Sequence, residues 1–62
     1  MCESTVFVKR GNKEEVLAED VARITPEEDQ VRVITLLGDV HTLRATIREI
    51  DLMAHKIVLE ER

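Results

Sequence analysis

Val31-Arg32-Val33-Ile34-Thr35-Leu36-Leu37-Gly38-Asp39 is the stretch that decides the fold. Val31 and Val33 alternate with Arg32, and Val31, Val33, Ile34 and Thr35 are all β-branched. That composition suits a pleated, half-buried surface and reads as a β-strand. Gly38-Asp39 then reads as a tight turn, because short hairpin loops need positive φ and glycine adopts it at no steric cost. The chain from Val40 onward is expected to return antiparallel, so the reading outward from this hairpin is β.

Toward the N-terminus, Thr5-Val6-Phe7-Val8-Lys9 reads as a first strand and Arg10-Gly11-Asn12-Lys13 as a turn. Glu14 to Ala18 reads as a second, weaker strand carrying Val16 and Leu17, and Glu19-Asp20 leads into a third, Val21-Ala22-Arg23-Ile24-Thr25. Pro26-Glu27-Glu28-Asp29-Gln30 reads as a charged loop, since Pro26 cannot donate to a ladder and the acids repel one another.

Toward the C-terminus, residues 41–55 admit two readings. Leu43, Ile47, Ile50 and Ala54 are spaced by four, three and four, which is a helical stripe. Alternatively, Val40–Ile47 is a strand, the phase shifts near Arg48, and Ile50-Asp51-Leu52 pairs with Ile57-Val58-Leu59-Glu60. In that case the turn is Met53-Ala54-His55-Lys56, with Met53 packed against the core. The strand reading agrees better with the β-rich remainder. The expected fold is all-β: one domain over residues 1–62, a small, strongly bent antiparallel sheet or barrel. Its edges need covering, and pairing with a second copy would cover them.

Composition sets the limits of this domain. A folded chain of 62 residues has a radius of gyration of roughly 11 Å and buries only about 60% of its unfolded surface. Apolar residues are 44% of the chain, Val, Ile and Leu together number 19, and Phe7 is the sole aromatic, so the core must be aliphatic. Domains of this size commonly need a disulfide, a metal or a partner subunit. The net charge is −4, with 13 acids against 9 bases and no basic cluster denser than Lys9-Arg10. Binding to duplex nucleic acid or to an anionic membrane depends on such clusters and is disfavoured. No apolar run exceeds three residues, too short for a transmembrane span or a signal-peptide core. A cytoplasmic location is expected.

Few residues carry chemistry. Ser4, His41 and Asp51 show no spacing or nucleophile elbow that would make a triad, and an enzyme is disfavoured. His41 and His55 lie 14 positions apart, outside metal-ligand spacing, and read as exposed strand or turn residues or, failing that, as substitute ligands. Glu27-Glu28-Asp29 lacks the glycine and alternating ligands of a calcium loop. Cys2 is the sole cysteine, so no internal disulfide forms, and its place beside the terminus argues for exposure. A thiolate is a strong ligand for soft and borderline metals. Backbone nitrogens beside it can lose protons to nickel or copper and complete a planar N/S site. An incidental, exposed thiol is the other reading of Cys2.

The chain opens with Met1-Cys2, passes through Val6-Phe7-Val8-Lys9 and Val21-Ala22-Arg23-Ile24, then through the stretch quoted first and Ile50-Asp51-Leu52, and closes with Ile57-Val58-Leu59-Glu60-Glu61. This resembles the CooT family, small nickel-binding accessory proteins of carbon monoxide dehydrogenase maturation. The resemblance spans nearly the whole chain, and its most diagnostic element is the Met-Cys start. Hydrogenase-maturation accessory proteins also begin Met-Cys, but continue with Leu and an early Pro-Gly. Here Glu3-Ser4-Thr5 follows, with no proline before Pro26.

The resemblance implies an Sm-like β fold, a homodimer, and Ni(II) held by Cys2 of each subunit; a site shared in this way is expected to hold one ion per dimer. It implies carbon monoxide dehydrogenase or its maturation proteins as partners. A two-fold axis supplies a second thiolate from a single cysteine, because an isologous interface repeats every residue. The alternative function is an Sm-like RNA-binding or protein-interaction module with an incidental cysteine. Acidity and the lack of aromatic platforms count against RNA.

Overall fold

A computed structural model describes residues 3–62. Its strands are β1 (Ser4–Arg10), β2 (Lys13–Pro26), β3 (Val31–Thr35), β4 (Val40–Leu43), β5 (Ala45–Asp51) and β6 (Lys56–Glu61). They form one six-stranded sheet in the order β4-β3-β2-β1-β6-β5. The radius of gyration is 10.7 Å, as chain length requires.

Both expected hairpins form. Arg10 pairs with Lys13 across a two-residue loop in which Gly11 has φ 61. Positive φ at the first central residue is what lets so short a loop follow the strand twist. Val31 to Ile34 pairs with Leu43 to Val40, and Gly38 has φ 95 in the turn between. β3 ends at Thr35, so Leu36 and Leu37 belong to that turn and not to the strand.

The second and third strands expected from the sequence are one strand. β2 runs for 14 residues, first against β1 and then against β3. It stays continuous by bulging: register shifts fall between the pairs Ser4–Val21 and Val6–Ala18, between Val6–Ala18 and Phe7–Val16, and between Val21–Thr35 and Arg23–Ile34. Each gives β2 one more residue than its neighbour, which bends the strand and increases its twist. Ala18, Val21 and Ile24 therefore face the core at a spacing of three, where a flat strand would use two.

Residues 41–55 contain no helix. β4 and β5 are separated only by Arg44, and β5 carries its own register shift between Ile47 and Glu49, at the place where the apolar phase slips. Leu52 to His55 turn the chain into β6. Met53 does not pack on the core: it is 93% exposed.

Two features depart from an antiparallel barrel. β6 runs parallel to β1, with Val6 opposite Ile57 and Val8 opposite Leu59. The sheet is also not closed, since β4 and β5 hold its two ends and share no ladder. The sheet still bends enough for one core to draw on both ends: Val6, Val8, Ala18, Val21, Val31, Val33, Ala45 and Leu59 form a single buried cluster. Among the described residues, no helix is long and apolar enough to cross a membrane.

Candidate functional site

The first described residues lead into β1 from Cys2, which itself lies outside the described residues along with Met1. Ser4 pairs with Val21 on one side, and Thr5 with Lys56 on the other. The Thr5 amide donates to the His55 carbonyl at 2.9 Å. The start of β1 is thus held between β2 and the β5–β6 turn. Beside Ser4 lies a shallow groove walled by Val21, Ile24, Ile50 and Ile57, with Arg23 at its rim. From Thr5 onward the strand backbone is committed to ladders. Donors for a metal at this end must therefore come from residues ahead of the ladder or from side chains around it.

The two histidines are far apart in role. His55 sits in the β5–β6 turn, exposed, with φ 53, and its carbonyl meets the start of β1. His41 is half-buried on β4 opposite Val33 and lines a different groove, with Ala18, Asp20 and Leu36. Of the pair, the structure brings the His55 backbone, not His41, to the N-terminal end of β1. Sequence spacing gave no sign of this, because it depends on the parallel β1–β6 pairing.

No catalytic constellation assembles from Ser4, His41 and Asp51. Ser4 and His41 line separate grooves, and Asp51 Oδ1 accepts from the Ala54 amide at 3.0 Å, fixing the turn. Glu27 is likewise committed. Its carboxylate pairs with Arg32 at 3.0 Å and accepts from Gln30 Nε2 at 2.7 Å, so the acidic triplet closes a loop. Among the described residues, no group of three His, Asp or Glu is arranged to hold a metal.

Sequence reasoning missed the apolar display on the β3–β4 turn. Leu36 is 51% exposed, Leu37 92% and Val40 57%. The available signal was two adjacent leucines placed directly before the turn glycine, where one cannot face the core.

Comparison with known proteins gives a consistent assignment. The family model described as CO dehydrogenase accessory protein CooT matches residues 1–60. The chain is 45% identical over 42 residues to an uncharacterized protein of Archaeoglobus fulgidus, covering 68% of this chain and 93% of that one. A crystal structure described as "putative CooT from Carboxydothermus hydrogenoformans" superposes with a TM-score of 0.87 at 31% identity, covering 98% of both chains. With a family model spanning nearly its full length, and a structural relative superposing over almost the whole chain, this chain belongs to the CooT family of CO dehydrogenase accessory proteins.

Proposed function

We propose that the protein holds Ni(II) as cargo for carbon monoxide dehydrogenase maturation, as a cytoplasmic homodimer that binds one ion between the Cys2 residues of its two subunits. The observation that carries this reading is the family match over residues 1–60, which includes the Met1-Cys2 start. Three physical arguments support it. Cys2 is the sole thiol, and only a second copy can supply another. Two thiolates with backbone nitrogens suit planar nickel. A site shared between two subunits can be opened to a recipient protein, as a carrier requires, whereas structural metal sites are closed.

The RNA-binding alternative gains no observation. The one aromatic ring, Phe7, has the Lys56 ammonium 4.9 Å from its centroid, so it offers no free face on that side for base stacking.

The test is a nickel titration followed by ultraviolet absorption. Thiolate-to-nickel charge transfer appears with the native chain and is lost in Cys2→Ser. Identical spectra from the two proteins would remove the proposal. Activation of apo carbon monoxide dehydrogenase by the nickel-loaded native protein, and not by Cys2→Ser, tests delivery.

A further inference from the structure

The groove between β2 and the β3–β4 turn combines three properties. It is apolar: Leu36 and Leu37 form part of its wall, and both are exposed. It is acidic: Glu19, Asp20 and Asp39 line it, no Lys or Arg does, and His41 is the sole basic side chain. And it is rigid. The Leu36 amide donates to the Asp20 carbonyl at 2.8 Å, the Thr35 amide to the Asp39 carbonyl at 3.0 Å, the Gly38 amide to the Thr35 carbonyl at 3.0 Å, and the Asp39 amide to Thr35 Oγ1 at 3.1 Å.

Charge is distributed unevenly over the molecule. Glu14, Glu15, Glu27, Glu60 and Glu61 are each paired with Lys56, Arg10, Arg32 or Arg48. Glu19, Asp20 and Asp39 take part in no ion pair among the described residues. Three of the eight acidic side chains that make no ion pair among the described residues thus surround an exposed apolar cluster that no Lys or Arg lines. Leucines held out on a hydrogen-bonded turn incur little ordering entropy when they are covered, which favours their use as contacts. Apolar anchors rimmed by charge of one sign select a partner of the opposite sign and speed its approach.

We infer that this groove docks a partner polypeptide through an apolar side chain flanked by lysines or arginines. A second copy of this chain fits less well, because the molecule itself carries a net charge of −4. The inference stands whether or not nickel binds at Cys2, since the groove contains neither thiol nor terminus.

The full-length 15N-labelled chain is titrated with a synthetic peptide holding two adjacent leucines between arginine pairs, and amide shifts are followed. Saturating shifts at Asp20, Leu36, Leu37, Gly38 and His41 are expected. Replacing the peptide leucines by serine, or its arginines by glutamate, abolishes them. In the protein, Glu19→Gln/Asp20→Asn/Asp39→Asn weakens binding about tenfold and flattens its salt dependence. Asparagine tolerates the positive φ at position 20, so this variant keeps the backbone. Leu37→Ser, a change at an almost fully exposed side chain, weakens binding with the fold intact. Three results would overturn the inference: no saturable shift at these amides, shifts unaffected by both variants, or concentration-dependent shifts at the same amides without peptide. The last would assign the groove to a second copy of the chain.

Discussion

The Lys56 ammonium stands 4.9 Å from the centroid of the Phe7 ring and 3.1 Å from Glu14 Oε2, linking the three central strands on the face opposite the core. The register explains the meeting. Val16, Phe7 and Val58 lie in one row across β2, β1 and β6, and Lys56, two residues before Val58, shares their face. The lysine stem covers the apolar row while its charged end reaches Glu14.

This arrangement contributes modestly to stability. Both charged side chains are more than one-third exposed, so the ion pair is worth less than about 1 kcal/mol, and the cation–ring contact about 0.5–1 kcal/mol. A double-mutant cycle with Lys56→Met and Phe7→Leu, read by urea unfolding, is expected to give a coupling below about 1 kcal/mol. A coupling above about 2 kcal/mol would show that the ring face is far better desolvated than the structure indicates.

Leu59 is fully buried at the point where β6 delivers its side chain to the main core, opposite Val8. Leu59→Ala should cost about 2–5 kcal/mol. A domain of this size has a total stability of only about 3–9 kcal/mol, so the variant is expected to be largely unfolded well below the native melting temperature. Val58 is almost as buried but lies on the opposite face, outside the main cluster. Val58→Ala, read by the same urea unfolding, should therefore cost clearly less. Equal losses at the two positions would contradict the separation of the two faces.

The same residues indicate what the sequence could and could not convey. The β3–β4 hairpin was legible because Val31 and Val33 alternate cleanly and Gly38 marks the turn. The slip near Arg48 was also visible, and it marks a real register shift in β5. β2 was split in two because its bulges turn the period from two to three at Ala18, Val21 and Ile24, and a period-two reading must end where the bulge begins. The parallel pairing of β1 with β6 left no local signal, since it joins segments from opposite ends of the chain. It alone brings His55 beside Thr5. For a metal site the sequence offers only Cys2 and the family resemblance, because a lone thiol has no spacing to read, and Cys2 lies outside the described residues.

His55 occupies a left-handed backbone conformation, φ 53, in the turn that leads into β6. That conformation costs an L-residue roughly 1–2 kcal/mol relative to glycine. Glycine gives part of this back through its freer unfolded chain. His55→Gly is therefore expected to stabilise the protein slightly, by about 0.5 kcal/mol, and His55→Val to destabilise it by more than about 1 kcal/mol. Thermal unfolding of the metal-free protein measures both. A destabilised glycine variant would mean that the exposed imidazole makes a contact that holds the turn.

Stoichiometry is the most demanding test of the nickel reading. With one thiol per chain and a shared site, saturation comes at one nickel per two chains, and the protein runs as a dimer in sedimentation. Both thiols must ionise to bind, so each nickel taken up releases protons, and affinity rises with pH through the range in which thiols deprotonate. A planar sulfur and nitrogen donor set gives diamagnetic Ni(II). His41 lies in the groove between β2 and the β3–β4 turn, on β4, so His41→Ala is expected to leave nickel affinity unchanged. Zinc would need tetrahedral ligands beyond the two thiolates and is expected to bind more weakly than nickel at equal pH. Calorimetry in buffers of different ionisation enthalpy gives stoichiometry, affinity and proton count in one series. Saturation at one nickel per single chain, or a paramagnetic octahedral ion without sulfur ligation, would exclude the shared-thiolate site and leave nickel binding to be explained by other donors.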